Sequence, residues 1–138
     1  MNLPRVLLAD DHAMFTEGLR SILEPHVEIV GTAADGEQVI LAVQRLHPDV
    51  VVMDISMPLL NGIKAARKLQ EVGTSSKIIF LTMVGDPAFV TEAFHAGAAG
   101  YVLKSSAGSE IIIAIREALQ GRTYVSPRVR GPSAVSKI

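Results

Sequence analysis

Residues 50–54 read Val-Val-Val-Met-Asp, four apolar residues followed by a carboxylate. A short, continuous apolar run is typical of a strand that is buried on both faces of a parallel sheet. The same arrangement ends three other apolar runs, with Asp10 and Asp11 after residues 6–9, Thr82 after 78–81 and Lys104 after 101–103. Polar side chains therefore recur at the downstream ends of the predicted strands.

Amphipathic stretches with helical spacing separate these apolar runs, which predicts repeated strand–helix units. We predict five helices and five strands, the strands near residues 5–9, 27–32, 49–53, 77–82 and 99–102. Right-handed crossovers would place the helices on both faces of the sheet in three layers. For a small sheet of this kind, the common doubly wound, flavodoxin-like strand order is 2-1-3-4-5. The predicted class is therefore α/β with a five-stranded parallel sheet.

This strand order brings the polar residues to one edge of the sheet. Asp54 would lie between the Asp10 and Asp11 pair and Thr82, because neighbouring strands are about 4.8 Å apart. Lys104 would lie two strands from Asp54, within reach of a long side chain. Ligand sites in such sheets lie beyond the carboxyl ends of the strands, so we expect a site there.

The residue types at this edge point to phosphoryl chemistry. Three converging carboxylates repel one another, and an oxygen-only ligand set suits a hard divalent cation such as Mg²⁺. Lys104 and Thr82 add hydrogen-bond donors for an anion. A carboxylate can act as the nucleophile and form an aspartyl phosphate, and the central Asp54 is the best candidate.

Composition narrows the class of protein. The chain has 138 residues, of which 49% are hydrophobic, with a net charge of -1 and no cysteine. This predicts one domain with a core and excludes disulfides and thiolate metal sites. The apolar runs are shorter than the ~20 residues of a membrane span. We therefore expect a cytoplasmic protein with no membrane partner. Residues 122–138 carry four basic and no acidic residues, and we interpret them as a solvated linker or tail.

Four motifs occur in order along the chain: Ala9-Asp10-Asp11-His12, Val52-Met53-Asp54-Ile55-Ser56-Met57-Pro58 with Asn61-Gly62, Leu81-Thr82, and Gly97-Ala98-Ala99-Gly100-Tyr101-Val102-Leu103-Lys104. With them the chain resembles the receiver domains of bacterial two-component response regulators over roughly residues 4–121. The local sequences look most like the NarL/FixJ (LuxR-type) subgroup. The resemblance implies that a histidine kinase donates a phosphoryl group to Asp54.

The resemblance also implies a ligand set for Mg²⁺. Asp11, Asp54 and the backbone carbonyl of Ser56 would bind the ion, and Asp10 would act through a water molecule. In this family, the residues two positions after the phosphoacceptor and after the threonine tune how long the phosphoryl group persists. Here those residues are Ser56 and Val84.

Three further residues receive roles in the same way. Lys104 and Thr82 would contact the phosphoryl group, and Tyr101 would rotate inward with it. This movement would change the face formed by the fourth helix, the fifth strand and the fifth helix. A phosphorylated chain of this kind could also form a homodimer.

The resemblance sets the expected domain organisation. Residues 1–121 would be the receiver domain, and 122–138 a linker toward a DNA-binding helix-turn-helix domain. Because the chain ends at Ile138, too soon for such a domain, we expect either a truncated transcription regulator or a lone receiver that acts on a protein partner. In both cases the domain would catalyse only its own phosphorylation and dephosphorylation.

Two other functions remain open from the residues. A flavodoxin-like nucleotide or flavin binder shares the predicted fold, but the acidic Asp10-Asp11 pair would repel a phosphate after the first strand. A haloacid-dehalogenase-type phosphatase normally has two aspartates two residues apart at one strand end, whereas Asp10 and Asp11 are adjacent.

Overall fold

The computed structural model describes residues 3–57, 61–83 and 87–129, with only the backbone given at Pro87. Strands and helices alternate along the chain in the order β1 (Arg5–Ala9), α1 (Ala13–Leu23), β2 (Glu28–Ala33), α2 (Gly36–Leu46), β3 (Val50–Asp54), α3 (Gly62–Val72), β4 (Lys77–Thr82), α4 (Pro87–His95), β5 (Gly100–Leu103), α5 (Ala107–Leu119) and β6 (Tyr124–Val125). A short 3-10 turn, Lys104–Ser106, joins β5 to α5.

All the strand pairs are parallel, and the sheet has the order β2-β1-β3-β4-β5-β6. The predicted order of the first five strands is confirmed, as is the α/β class with five helices. The central strand β3 is buried at every position, as its apolar run predicts. No helix in the described parts of the chain is both long and apolar enough to span a bilayer.

The core has two halves, one on each face of the sheet. Because side chains alternate along a strand, Leu7 and Val51 pack in the half that includes residues of α2, α3 and α4. Their neighbours Leu8 and Val52 pack in the half that includes residues of α1 and α5. This burial on both faces explains why the strands read as continuous apolar runs.

Asp35, Asn61 and Asp86 each precede a helical stretch of the sequence and are predicted N-cap residues, and two of these predictions are confirmed. Asp35 accepts a hydrogen bond from Gln38 N at the start of α2, and Asn61 accepts one from Lys64 N at the start of α3. These caps satisfy backbone N–H groups that have no partner within the helix. A third predicted cap, Asp86, lies outside the described residues.

The prediction of five strands was wrong by one, because β6 adds a sixth at the outer side of β5. Tyr124 N donates to Ala99 O at 3.0 Å, and Ser126 N donates to Tyr101 O at 2.9 Å. Ser126 is 0% exposed and Val129 3% exposed, so this part of the predicted solvated tail is packed on the domain. A two-residue strand is too short for the period-2 pattern that reveals longer strands.

Candidate functional site

Three carboxylates lie together beyond the carboxyl ends of β1 and β3. Asp10 and Asp11 follow β1, and Asp54 is the last residue of β3. One ligand atom from each of Asp10, Asp11, His12 and Asp54 lies within 4.8 Å of the others. Asp54 is 3% exposed and Asp10 8% exposed, whereas Asp11 faces solvent. The sheet therefore brings the acidic residues together as its strand order predicts.

Backbone N–H groups orient two of these carboxylates. His12 N donates to Asp10 Oδ1 at 2.8 Å, and Ser56 N donates to Asp54 Oδ1 at 3.0 Å. In each case the donor lies two residues after the aspartate, which is the local turn that aspartate favours. The second oxygen of each carboxylate is left for other partners.

Lys104 contacts those second oxygens. Its Nζ lies 2.7 Å from Asp10 Oδ2 and 3.1 Å from Asp54 Oδ2. Its side chain is only 9% exposed, and the ammonium lies 4.8 Å from the centre of the Phe15 ring, where a cation is favoured. Lys104 follows directly after β5, so its long side chain spans the distance that the strand order requires.

The pKa values of the paired groups follow from burial and from the excess of negative charge. Burial raises the pKa of Asp54, and the hydrogen bonds from Ser56 N and Lys104 do not fully offset it. The neighbouring Asp10 charge raises the pKa of Asp54 further. Burial lowers the pKa of Lys104, but hydrogen bonds to Asp10 and Asp54 outweigh this and raise it overall. The site is therefore short of positive charge.

The chain turns back tightly after Asp54, and Gly62 permits this. Gly62 N donates to Ile55 O at 2.8 Å. A Cβ atom at residue 62 would lie 2.5 Å from the backbone oxygen of Asp54 and 3.0 Å from Ile55 Cα. These distances are shorter than van der Waals contact, so a larger residue would displace the backbone that carries Asp54.

Thr82 and Ser56 lie beside a cavity of about 320 Å³ between α3 and α4. Thr82 is the last residue of β4 and is 6% exposed. Lys64 and Arg67 of α3 also line this cavity. The cavity between α3 and α4 is therefore lined by basic and hydroxyl side chains together with Glu92.

Tyr101 lies within β5, and its side chain is fully buried. It belongs to the same half of the core as Phe80, its partner in the sheet register, and Val90 of α4. Val84, the other residue predicted to tune the phosphoryl lifetime, lies outside the described residues.

His12 has no predicted role, yet its ring lies among the site residues. Its Nδ1 is 3.0 Å from Asp10 Oδ1, 3.3 Å from Asp11 Oδ1 and 3.4 Å from Lys104 Nζ. His12 is also the N-cap residue of α1, but its side chain makes no capping hydrogen bond. Its position directly after Asp11 was the available signal.

Known proteins are similar to this chain in sequence and in fold. The sequence model of the family described as the response regulator receiver domain matches residues 6–116 of this chain. The transcriptional regulatory protein DegU of Brevibacillus brevis is 37% identical over 127 residues, which cover 91% of this chain and 54% of that protein. The chain therefore spans about half the length of this relative.

Solved structures of similar proteins have the same fold. A LuxR-family two-component response regulator from Aurantimonas sp. SI85-9A1 superposes with a TM-score of 0.90 at 36% identity, covering 99% of this chain and 97% of that one. The non-phosphorylated receiver domain of the stress response regulator RcsB from Escherichia coli has a TM-score of 0.83 at 29% identity, covering 91% and 99% of the two chains. The chain belongs to the response regulator receiver domain family and is related to the LuxR-type regulators.

Proposed function

We propose that the domain accepts a phosphoryl group on Asp54 from the phosphohistidine of a sensor kinase. The observation that carries this proposal is the position of the Asp54 carboxylate. It is 3% exposed, its Oδ2 lies 3.1 Å from Lys104 Nζ, and it adjoins the Asp10 and Asp11 pair. A carboxylate with a cation beside it and a place for a metal is suited to phosphoryl transfer.

In this transfer, an Asp54 oxygen forms the new P–O bond as the P–N bond of the donor breaks. The leaving imidazole takes a proton from solvent. Lys104 and Thr82 then contact the transferred phosphoryl oxygens, where a buried ammonium and a hydroxyl are effective donors. Ser56 and Val84 tune how readily water reaches the phosphoryl group, because water exclusion slows hydrolysis.

The donor set fits Mg²⁺, since three carboxylates offer oxygen atoms within a few ångströms of one another. Asp11, Asp54 and the carbonyl of Ser56 would hold the ion, and Asp10 would act through water. A bound Mg²⁺ supplies the positive charge that the site lacks.

The output of the domain is proposed on the same basis. Phosphorylation shifts Tyr101 and the face formed by α4, β5 and α5, and a helix-turn-helix domain that follows residues 122–138 reads this change on DNA. A kinase partner, a homodimer of the phosphorylated form and a cytoplasmic location belong to this proposal. The DegU relative, a transcriptional regulatory protein, supports a transcriptional output. A lone receiver that acts on a protein partner is the alternative.

The test is phosphoryl uptake by the purified chain with Mg²⁺ and phosphoramidate, followed by intact mass. The wild-type chain should gain one phosphate that is stable to acid and labile to base. Asp54→Asn should gain none, and Asp49→Asn, an exposed aspartate at the opposite edge of the sheet, should behave as wild type. Uptake by Asp54→Asn would contradict the assignment, and steady release of phosphate from a monoester would favour a phosphatase.

A further inference from the structure

One buried serine ties the segment after α5 to the end of β5. Ser126 has no exposed surface. Its hydroxyl oxygen accepts a hydrogen bond from Leu103 N at 3.0 Å, and its hydroxyl donates to Glu110 Oε1 at 2.6 Å. Its own N–H donates to Tyr101 O at 2.9 Å. Ser126 therefore holds β5 at two backbone positions and α5 at one side chain.

The bond to Leu103 lies one residue before Lys104, which contacts the proposed phosphorylation site. Lys104 follows Leu103 in the chain, and its Nζ contacts Asp10 and Asp54. The register between β5 and β6 ends at Tyr101 and Val125, so strand pairing does not extend to Leu103. A side chain supplies the bond instead, and it restrains the backbone from which Lys104 reaches the carboxylates.

Glu110 determines how Ser126 makes this bond. A serine hydroxyl has one proton and two lone pairs. Its proton is directed to Glu110 Oε1, so the lone pairs remain for Leu103 N. The hydroxyl of Tyr124 donates to the same Oε1 at 2.9 Å. The three side chains thus form one network, and the Ser126 hydroxyl links this network to the end of β5.

We infer that Ser126, oriented by Glu110, is a positioning residue that holds Lys104 in place for the phosphoryl group on Asp54. This inference rests on the proposed function. A side chain whose backbone is already fixed loses less conformational freedom when it binds an anion. The exit segment and the phosphorylated site therefore stabilise each other, and by thermodynamic linkage each must strengthen the other by the same factor.

The first experiment measures the initial rate of phosphoryl uptake from phosphoramidate with Mg²⁺. Ser126→Ala should lower the rate by about 5- to 10-fold, less than the roughly 100-fold that a 1 Å misplacement of a reacting group can cost. Tyr124→Phe removes the neighbouring hydroxyl on the same carboxylate and should stay within about twofold of wild type, because it leaves the bond from Leu103 N to Ser126 in place. Ser76→Ala removes a comparable serine bond, to Pro48 O at 2.6 Å, at the opposite edge of the sheet, and should have no effect.

If Ser126→Ala does not fold, Glu110→Ala replaces it, because this variant keeps the hydroxyl but removes the acceptor that orients it. Glu110→Gln retains an acceptor oxygen and should restore most of the rate. A wild-type rate in Ser126→Ala, or in its replacement Glu110→Ala, would overturn the inference while phosphorylation of Asp54 stands. A wild-type chain that takes up no phosphate would overturn the proposed function and the inference with it.

The second experiment measures amide hydrogen exchange at Leu103. Phosphorylation of wild type should slow exchange there, and in Ser126→Ala this slowing should be lost. A purely structural serine would speed exchange equally with and without the phosphoryl group when it is removed. Exchange at Leu103 that does not respond to phosphorylation would therefore overturn the positioning role.

Discussion

The amino and carboxyl edges of the sheet both place charged residues beside the strand ends, but their charges are balanced differently. At the amino edge, Arg5 N donates to Asp49 Oδ2 at 2.8 Å. The Arg5 guanidinium donates to Leu46 O at 2.7 Å and His47 O at 3.1 Å, at the end of α2. The backbone N–H and the guanidinium of Arg5 both meet acceptors there, so this edge of the sheet is tied to a helix end.

At the carboxyl edge, one ammonium faces an excess of carboxylates. Lys104 pairs with both Asp10 and Asp54, while Asp11 adds a third negative charge nearby. Burial raises the pKa of Asp54, so its charge is costly in the folded protein. We infer that the hydrogen bonds of the amino edge stabilise the fold, whereas the excess of negative charge at the carboxyl edge lowers stability, as expected if the proposed site binds a cation and a phosphoryl group.

The largest expected effect is that of Lys104→Met. This change removes the only lysine in contact with Asp10 and Asp54 among the described residues, and leaves two buried carboxylates without it. We expect the free energy of unfolding to fall by about 3 kcal/mol. We expect phosphoryl uptake to fall about 100-fold, as when one stabilising donor is lost. Urea unfolding followed by far-UV circular dichroism and intact mass measure the two effects.

Lys77→Met is the matched control, because Lys77 is exposed at the first position of β4. It should leave stability and phosphoryl uptake close to wild type. If Lys104→Met retained the wild-type rate, the ammonium would have no part in transfer, and the contrast between the two edges would be one of stability alone.

The next effect is that of Arg5→Met at the amino edge. The variant loses the guanidinium bonds to Leu46 O and His47 O but keeps the backbone bond to Asp49. We expect the free energy of unfolding to fall by about 1–2 kcal/mol, the usual value of one or two hydrogen bonds. Phosphoryl uptake should not change, since the substitution lies at the opposite end of the strands. A slower uptake would mean that the amino edge also affects phosphoryl transfer.

Arg45→Met is the control for this prediction, because Arg45 is exposed in the last turn of α2. Urea unfolding of the three proteins at one pH gives the comparison. Equal stability of Arg5→Met and wild type would mean that water satisfies the carbonyl groups at the end of α2 as well as the guanidinium does.

The positions of the main site residues were predictable because each follows an apolar run that is long enough to recognise. Asp54 ends β3 and Thr82 ends β4, and the strand order then decides which of them are neighbours. The direction of the His12 side chain was not predictable, since it depends on the turn in which His12 has φ −96° and ψ 96°. No periodicity encodes such a turn.

Ser126 shows why the packing of β6 was missed. A serine before a proline, in a segment that also carries arginine, reads as solvated linker. Its burial comes from partners that are distant in the chain, Leu103 and Glu110, which lie 23 and 16 residues away. Such a bond becomes visible only when β5 and α5 are placed in space.

A smaller effect is expected from Mg²⁺ on the unmodified chain. At ten times its dissociation constant, an ion bound only by the folded state adds about 1.4 kcal/mol, or roughly 3–5 °C in Tm for a domain of this size. Asp11→Asn should lose most of this shift, because Asp11 is a proposed ligand of the ion and its carboxylate is exposed to solvent. Asp49→Asn should keep it. A shift of equal size in both variants would place the ion elsewhere.

The smallest expected effect is a gain of stability in Asp54→Asn. This gain measures the free energy that burial of the Asp54 charge costs the folded protein. Burial and the Asp10 charge raise the pKa of Asp54 above its ordinary value of 3.8, so the folded protein binds this proton more tightly than the unfolded chain does. Ionised Asp54 therefore lowers stability at neutral pH, and protonation relieves the penalty as the pH falls through the raised pKa.

At pH 7 without Mg²⁺, Asp54→Asn should thus exceed wild type by up to about 1 kcal/mol, the ordinary scale of a single substitution. The gain should shrink as the pH falls through the raised pKa of Asp54, because wild type is then neutral at this position as well. Saturating Mg²⁺ at pH 7 should reverse the difference, since only the wild-type carboxylate gains from the cation. Urea unfolding at neutral and acidic pH, with and without Mg²⁺, measures these differences. A variant less stable than wild type at pH 7 without Mg²⁺ would show that Lys104 more than offsets the burial of Asp54, and that the two edges differ in position but not in charge balance.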